Sequence, residues 1–194
     1  MKKKIIGFVD TLFVENIFDV QFIASEKNQK KYTIAFDKDL TLIVKCRGDL
    51  VVRNGIRELL EQLGNDYRLV VWTYDSTLGV KSDLRRYDLL RFFEKVISYD
   101  SYSREHFTQS PFFTCDDDYS IFIRKPVHFL GYDFLVDDVD FSDQAIEGGF
   151  GFYRIESEKT FFENDEEYAQ DDTCKKIEHS ILKYFMELYL KDRR

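Results

Sequence analysis

The sequence predicts an α/β fold with a mainly parallel central sheet. Three observations lead there. Short apolar runs recur along the chain, at Tyr32 to Phe36, Leu69 to Trp72 and Phe134 to Val136, and continuous runs of this length suit strands buried on both faces. Stretches with apolar residues at helical spacing separate them. Each run ends abruptly in a polar residue, Asp37, Thr73 or Asp137, and in parallel sheets the working residues sit just beyond the carboxyl ends of strands.

Taken in order, residues 1–30 alternate loosely between apolar and polar and read as a strand-rich extension packed on a main domain of residues 31–194. Lys2 to Lys4 followed by Ile5 to Val9 imitates the start of an export signal, but Asp10 and Glu15 break the apolar run and no small-residue cleavage site follows. Asn28 to Lys31 is a polar break before the first buried strand. Ile56, Leu59, Leu60 and Leu63 mark a helix that Gly64-Asn65 should end. After the Leu69 to Trp72 strand, residues 79–93 have a helix-like pattern, and Val96-Ile97 is a short strand. Residues 98–120 have no clear period and read as a loop or small insertion. A short helix over Phe141 to Ile146 and a last strand over Phe150 to Ile155 follow the third run. Residues 156–172 hold eight acids against one lysine and read as a solvated segment with latitude to move. Ile177, Ile181, Tyr184, Phe185 and Leu188 line one face of a closing helix over 173–190.

Composition narrows the function classes. The 194 residues carry 28 basic and 36 acidic side chains, a net charge of −8. A net anion repels nucleic-acid backbones unless a basic patch overrides it, and no basic run is longer than Lys2 to Lys4, the others being pairs such as Lys30-Lys31. Nucleic-acid binding is therefore demoted as the main function. Cys46, Cys115 and Cys174 are odd in number and form no CxxC pair, which argues against a disulfide framework or a cysteine zinc site and for a reducing, intracellular and cytoplasmic setting. No stretch approaches the roughly 20 apolar residues a membrane span requires. His106, His128 and His179 lack metal-ligand spacing, and the excess of aromatic residues, 16% of the chain, reads as core.

The chemistry gathers at the strand ends. Asp37 and Asp39 are two residues apart at the end of the first buried run. Two carboxylates held close repel each other unless a cation or a proton lies between them, and a hard cation such as Mg²⁺ takes oxygen ligands. Thr73 supplies a hydroxyl at the next strand end, Asp137-Asp138 a second acid pair, and Lys125 a cation a dozen residues earlier. A nucleophile, an acid/base, metal ligands, a hydroxyl and a cation together suit displacement at a phosphoryl group. Each has a plainer reading when taken alone. Thr73 is a helix cap, Asp137-Asp138 a solvated turn, and Lys125 a surface charge with Arg124 as its rival.

In this order, Asp37-x-Asp39-x-Thr41, Thr73, Lys125 and Asp137-Asp138 resemble the four motifs of the haloacid dehalogenase superfamily of phosphatases. Val52 to Leu60, Trp72-Thr73 and Lys125 to Asp133 are similar to stretches of its FCP/SCP branch, the NLI-interacting-factor-like phosphatases of the RNA-polymerase tail. The resemblance implies a three-layer α/β/α Rossmannoid fold without a large cap domain. It implies Asp37 as the nucleophile that forms an aspartyl-phosphate and Asp39 as general acid and then base. Asp37, the backbone carbonyl of Asp39, and Asp138 would hold Mg²⁺. Thr73, Lys125 and Thr41 would serve the phosphoryl group, and Asp137 would support Lys125 or a metal-bound water. The substrate class it implies is a phosphoprotein or phosphopeptide. The alternatives are a small-molecule phosphatase of the capless magnesium-dependent type, or a catalytically silent binding module on the same scaffold. The chain departs from the pattern at Lys38, usually apolar, at Leu40, often Glu, at Asn54, usually Pro, and at Asp138, often Asn. These departures leave every catalytic group in place and bear on substrate identity.

Overall fold

The computed structural model describes residues 32–98 and 131–192. The extension over 1–30, the 98–120 insertion after its first residue, and Lys125 with its rival Arg124 lie outside the described residues. Five strands form the main sheet: β1 (Thr33–Phe36), β4 (Arg68–Trp72), β5 (Lys95–Ile97), β6 (Phe134–Asp137) and β7 (Gly151–Arg154). Their order is β5-β4-β1-β6-β7, and every pairing is parallel. The predicted α/β class with a mainly parallel sheet is the observed one.

The apolar runs are continuous because side chains alternate between two buried faces. Ile34, Phe36, Leu69, Val71, Phe134 and Val136 enter one core, whereas Ala35, Val70, Trp72 and Leu135 enter the other. The first core is closed by α1 (Ile56–Asp66), α2 (Thr77–Arg86) and α5 (Thr173–Lys191), and the second by α3 (Ser142–Gly148) with Phe141 and Phe150. Several of the aromatic residues expected in the core are there, whereas Phe161 and Tyr74 are exposed. Phe185 of α5 stacks on Tyr67 with ring centroids 4.9 Å apart and lies 4.6 Å from Tyr32, and Trp72 is buried.

Gly151 marks where α5 meets the sheet. A Cβ there would enter the Phe134 ring and approach Tyr184 Cγ to 2.8 Å. Both rings are packed, so neither can yield cheaply. Gly151→Ala should therefore destabilise the fold by about 1–3 kcal/mol, the usual cost of overpacking, read as a lower midpoint in denaturant melts.

Three local expectations need correction. The helix predicted over 79–93 stops at Arg86 and is followed by a one-turn 3₁₀ segment at Leu90–Phe92. Asp88 between them takes a left-handed φ of 54°, a conformation Asp tolerates and a helix does not. Gly64 does not end α1, which continues to Asp66 before the buried Tyr67. The acidic stretch over 156–172 is solvated as expected at every acid but Asp171, yet it carries regular structure that was not expected. It contains a 3₁₀ turn (Ser157–Lys159), β8 (Phe161–Phe162) and α4 (Asp165–Ala169), and Phe162 and Asp171 are buried.

A second sheet was not foreseen. β2 (Ile43–Cys46) and β3 (Asp49–Val52) form an antiparallel hairpin, and β8 pairs with β2 in parallel. The turn residues Arg47 and Gly48 both have positive φ, 54° and 87°, which fits the right-handed twist of the two strands. This hairpin is inserted between β1 and α1, directly after the Asp37-x-Asp39 motif.

Candidate functional site

The strand order decides where a site can form. From β1 the chain builds outward through β4 to β5, then returns to the other side of β1 with β6 and β7. β1 is therefore the switch point of the sheet, and the crevice opens beyond its carboxyl end. Phe36 is in register with Val71 on one side and Val136 on the other. Asp37 and Asp137 come next in line, Thr73 follows one residue further along β4, and the three are thus brought to one end of the sheet although up to a hundred positions apart. Asp37 continues the ladder by donating its N–H to the Val136 carbonyl at 2.9 Å, and Thr73 does the same to Ile97 at 2.9 Å.

These ends enclose an open cleft of about 360 Å³ lined by Asp37, Asp39, Leu40, Thr73, Tyr74, Asp75, Asp137, Asp138 and Val139. Carboxylate oxygens of Asp37, Asp137 and Asp138 lie within 4.8 Å of one another, and the first two residues are buried. Three converging carboxylates raise one another's free energy unless a cation joins them, and a hard divalent ion such as Mg²⁺ fits an all-oxygen donor set. The trio contains the expected ligands Asp37 and Asp138, and it adds Asp137, which was expected to support rather than to ligate. Asp137 is held in place by the Val139 N–H, donated to its Oδ1 at 2.9 Å.

Asp39 also lines the cleft, but its carboxylate is not one of the trio. The side chain is 58% exposed, and its Oδ1 lies 3.2 Å from Lys38 Nζ. Thr73 is buried, and its Oγ1 accepts the Asp75 N–H at 3.3 Å. The cap of α2 is instead Ser76, which accepts from the Gly79 N–H, so Thr73 is not the helix cap of the plainer reading. Thr41 is not brought to the cleft. Leu40 turns through a left-handed φ of 60°, and Thr41 after it is fully buried, with its carbonyl accepting from Arg53 Nε at 2.6 Å.

Several contributors were not foreseen. Lys38 is charged yet 3% exposed, and its ammonium is ringed by Asp83 Oδ2 at 2.7 Å, Asp75 Oδ2 at 2.9 Å and Asp39 Oδ1 at 3.2 Å. Burial alone would lower its pKa, but the hydrogen bonds to Asp83 and Asp75 and the Asp39 charge outweigh it and raise the pKa. Tyr74 lines the cleft with 39% of its surface exposed, and partial desolvation, then the Asp137 and Asp37 charges, push its phenol pKa up. Arg53 donates to the carbonyls of Leu40 (2.7 Å), Thr41 (2.6 Å) and Lys159 (2.9 Å) and to Asp171 Oδ2 (2.8 Å). It ties the loop after Asp39 to the C-terminal third of the chain. No helix among the described residues is long and apolar enough to cross a membrane.

Solved structures similar to this chain include a HAD-superfamily hydrolase from Geobacter sulfurreducens, at 14% identity and a TM-score of 0.43, over 63% of this chain and 88% of that one. A second is the fission yeast RNA polymerase II CTD phosphatase Fcp1 bound to beryllium fluoride, at 13% identity and a TM-score of 0.39, over 96% of this chain and 60% of that one. A third is a HAD-superfamily hydrolase from Ehrlichia chaffeensis, at 13% identity and a TM-score of 0.35, over 87% of this chain and 78% of that one. No curated protein matches the sequence. The family model described as "Protein of unknown function (DUF705)" matches residues 2–137, a span that takes in Asp37, Thr73 and Asp137, and the chain belongs to that family.

Proposed function

We propose that this chain is a Mg²⁺-dependent phosphomonoester hydrolase of the haloacid dehalogenase type, acting through an aspartyl-phosphate on a phosphoprotein or phosphopeptide. The observation that carries the reading is the convergence of Asp37, Thr73, Asp137 and Asp138 on one cleft at the switch point of the sheet. The motif order in the sequence supplies the roles.

In the first step an Asp37 carboxylate oxygen bonds to phosphorus while the bond from phosphorus to the ester oxygen breaks. The Asp39 carboxyl gives its proton to that departing oxygen, so an alcohol leaves. In the second step a water oxygen bonds to phosphorus, Asp39 takes the water proton, and the bond to Asp37 breaks. Inorganic phosphate is released and both carboxyl groups return to their starting states. The motif order gives Thr73 the role of donating its hydroxyl to a phosphoryl oxygen and Lys125 that of bringing a compensating charge. Mg²⁺ held by Asp37, Asp138 and the Asp39 carbonyl, with Asp137 beside them, would offset the negative charge that four carboxylates present to an anionic ester. The cleft is open among the described residues, and an open cleft suits a phosphorylated side chain on a polypeptide.

Purified protein should hydrolyse para-nitrophenyl phosphate with Mg²⁺ and lose that turnover in EDTA by roughly 10²–10³-fold, the equivalent of several kcal/mol of charge stabilisation. Added Mg²⁺ should restore it. The same background rate with Mg²⁺ and with EDTA would sink the proposal and leave partner binding as the function of the scaffold.

A further inference from the structure

Lys38 is a buried cation between the two aspartates of the β1 loop. A buried ammonium is tolerated where partners replace its water, and an ammonium has three N–H donors. Three carboxylates from three elements meet it: Asp39 from the same loop, Asp75 from the loop after β4, and Asp83 from α2. The fold makes room for one of them with a glycine. A Cβ at Gly79 would stand 2.8 Å from Asp75 Oδ2 and 2.9 Å from its Oδ1. Glycine inside a helix costs stability relative to alanine, and the space it leaves here is filled by the carboxylate that grips Lys38. The Asp75 carboxylate is fixed further by the Ser76 N–H, donated to Oδ1 at 2.7 Å.

Asp39 is otherwise loosely placed, with most of its side chain in solvent. Its Oδ1 is taken by Lys38, and the residue lines the cleft. We propose that Lys38 is a positioning residue for Asp39. Its ammonium, anchored by Asp75 and Asp83, holds the Asp39 carboxyl in one orientation and apart from the Asp37, Asp137 and Asp138 trio, so that Oδ2 carries the proton in both steps. This inference rests on the phosphatase reading above. Lys38 is not among the residues that line the cleft and would act through Asp39.

The test uses two esters of similar shape and very different leaving groups. A nitrophenolate departs readily without a proton, whereas an alkoxide needs one, so an ill-positioned acid is felt mainly with the alkyl ester. In Lys38→Met, kcat/KM for para-nitrophenethyl phosphate should fall about 30-fold or more, and that for para-nitrophenyl phosphate less than about 5-fold, within the range general acid catalysis supplies. Asp39→Asn should show the same asymmetry, and the double variant should be no worse than Asp39→Asn alone, because residues acting through one group are not additive. If Lys38→Met lacks a cooperative melt, Asp83→Asn serves instead. It keeps the ammonium, removes one anchor, and should shift the two esters apart in the same direction by a smaller factor. Equal losses on both esters, no loss on either, or an additive double variant would overturn the proposal. Failure of the wild-type protein to turn over either ester with Mg²⁺ would overturn the phosphatase reading, and this inference with it.

Discussion

Asp37→Asn should abolish aryl phosphate hydrolysis, by at least about 10³-fold, while leaving the fold intact and the metal-free protein more stable. The loss follows from the nucleophile. An amide oxygen cannot form the acyl phosphate that splits the reaction into two easier steps, and removal of a nucleophile ordinarily eliminates most of the rate enhancement. The gain in stability follows from electrostatics. The buried Asp37 shares a space less than 5 Å across with Asp137 and Asp138, and like charges at such spacing destabilise the state that brings them together. The substitution removes one charge and keeps the shape, and the backbone bond from residue 37 to the Val136 carbonyl does not depend on the side chain. In EDTA, thermal unfolding of Asp37→Asn should therefore occur above that of wild type, and added Mg²⁺ should raise the wild-type midpoint more than the variant's. A midpoint below wild type in EDTA would mark Asp37 as a structural carboxylate. Retained turnover would remove it as the nucleophile.

What the sequence showed of this site was the part written locally. Asp37, Thr73 and Asp137 each follow a run of three or four buried residues, and a run ending in a polar group is readable without the structure. Their convergence follows from a parallel sheet and its switch point, which strands alternating with helices already imply. The hairpin of β2 and β3 was hidden because its strands have no clean alternation; β2 is buried at three of its four positions. The signal that could have found it is Arg47-Gly48, two turn residues that both take positive φ. Lys38 and Arg53 were illegible for a different reason. A charged residue reads as surface, and both are buried only because carboxylates and carbonyls far away in the chain complete them. Asp83 is 45 positions from Lys38, and Asp171 is 118 from Arg53. Asp171 was further masked by the acidic run around it, which by composition alone is a solvated segment.

Arg53→Met is the substitution with the largest expected cost to stability. The Arg53 and Asp171 side chains are both completely buried and meet at 2.8 Å. A buried ion pair contributes little net stability compared with an apolar pair, yet breaking it by removing one partner costs about 3–5 kcal/mol, since the other charge stays behind without water. For a chain of this size each kcal/mol moves the melting midpoint by roughly 2–4 °C, so a fall of roughly 6–20 °C is expected. Arg53 also serves the carbonyls of Leu40, Thr41 and Lys159, and their hydrogen bonds go with it. Asp171→Asn should cost less than Arg53→Met, because Thr173 still donates to position 171 through its N–H and hydroxyl and Arg53 keeps three carbonyl partners. Arg53→Lys should recover part of the loss only, since a single ammonium cannot span acceptors arranged around a planar fork. The apolar pair Arg53→Met with Asp171→Leu separates the two contributions. It relieves the stranded charge but not the three carbonyls, so its midpoint should lie between wild type and Arg53→Met. Hydrolysis measured well below each midpoint should fall with Arg53→Met as well, because Leu40 and Thr41 belong to the loop that carries Asp37 and Asp39. A midpoint within 2 °C or so of wild type for Arg53→Met, less than the roughly 2–4 °C that even 1 kcal/mol would produce, would show that this cation does not tie the motif loop to the C-terminal third.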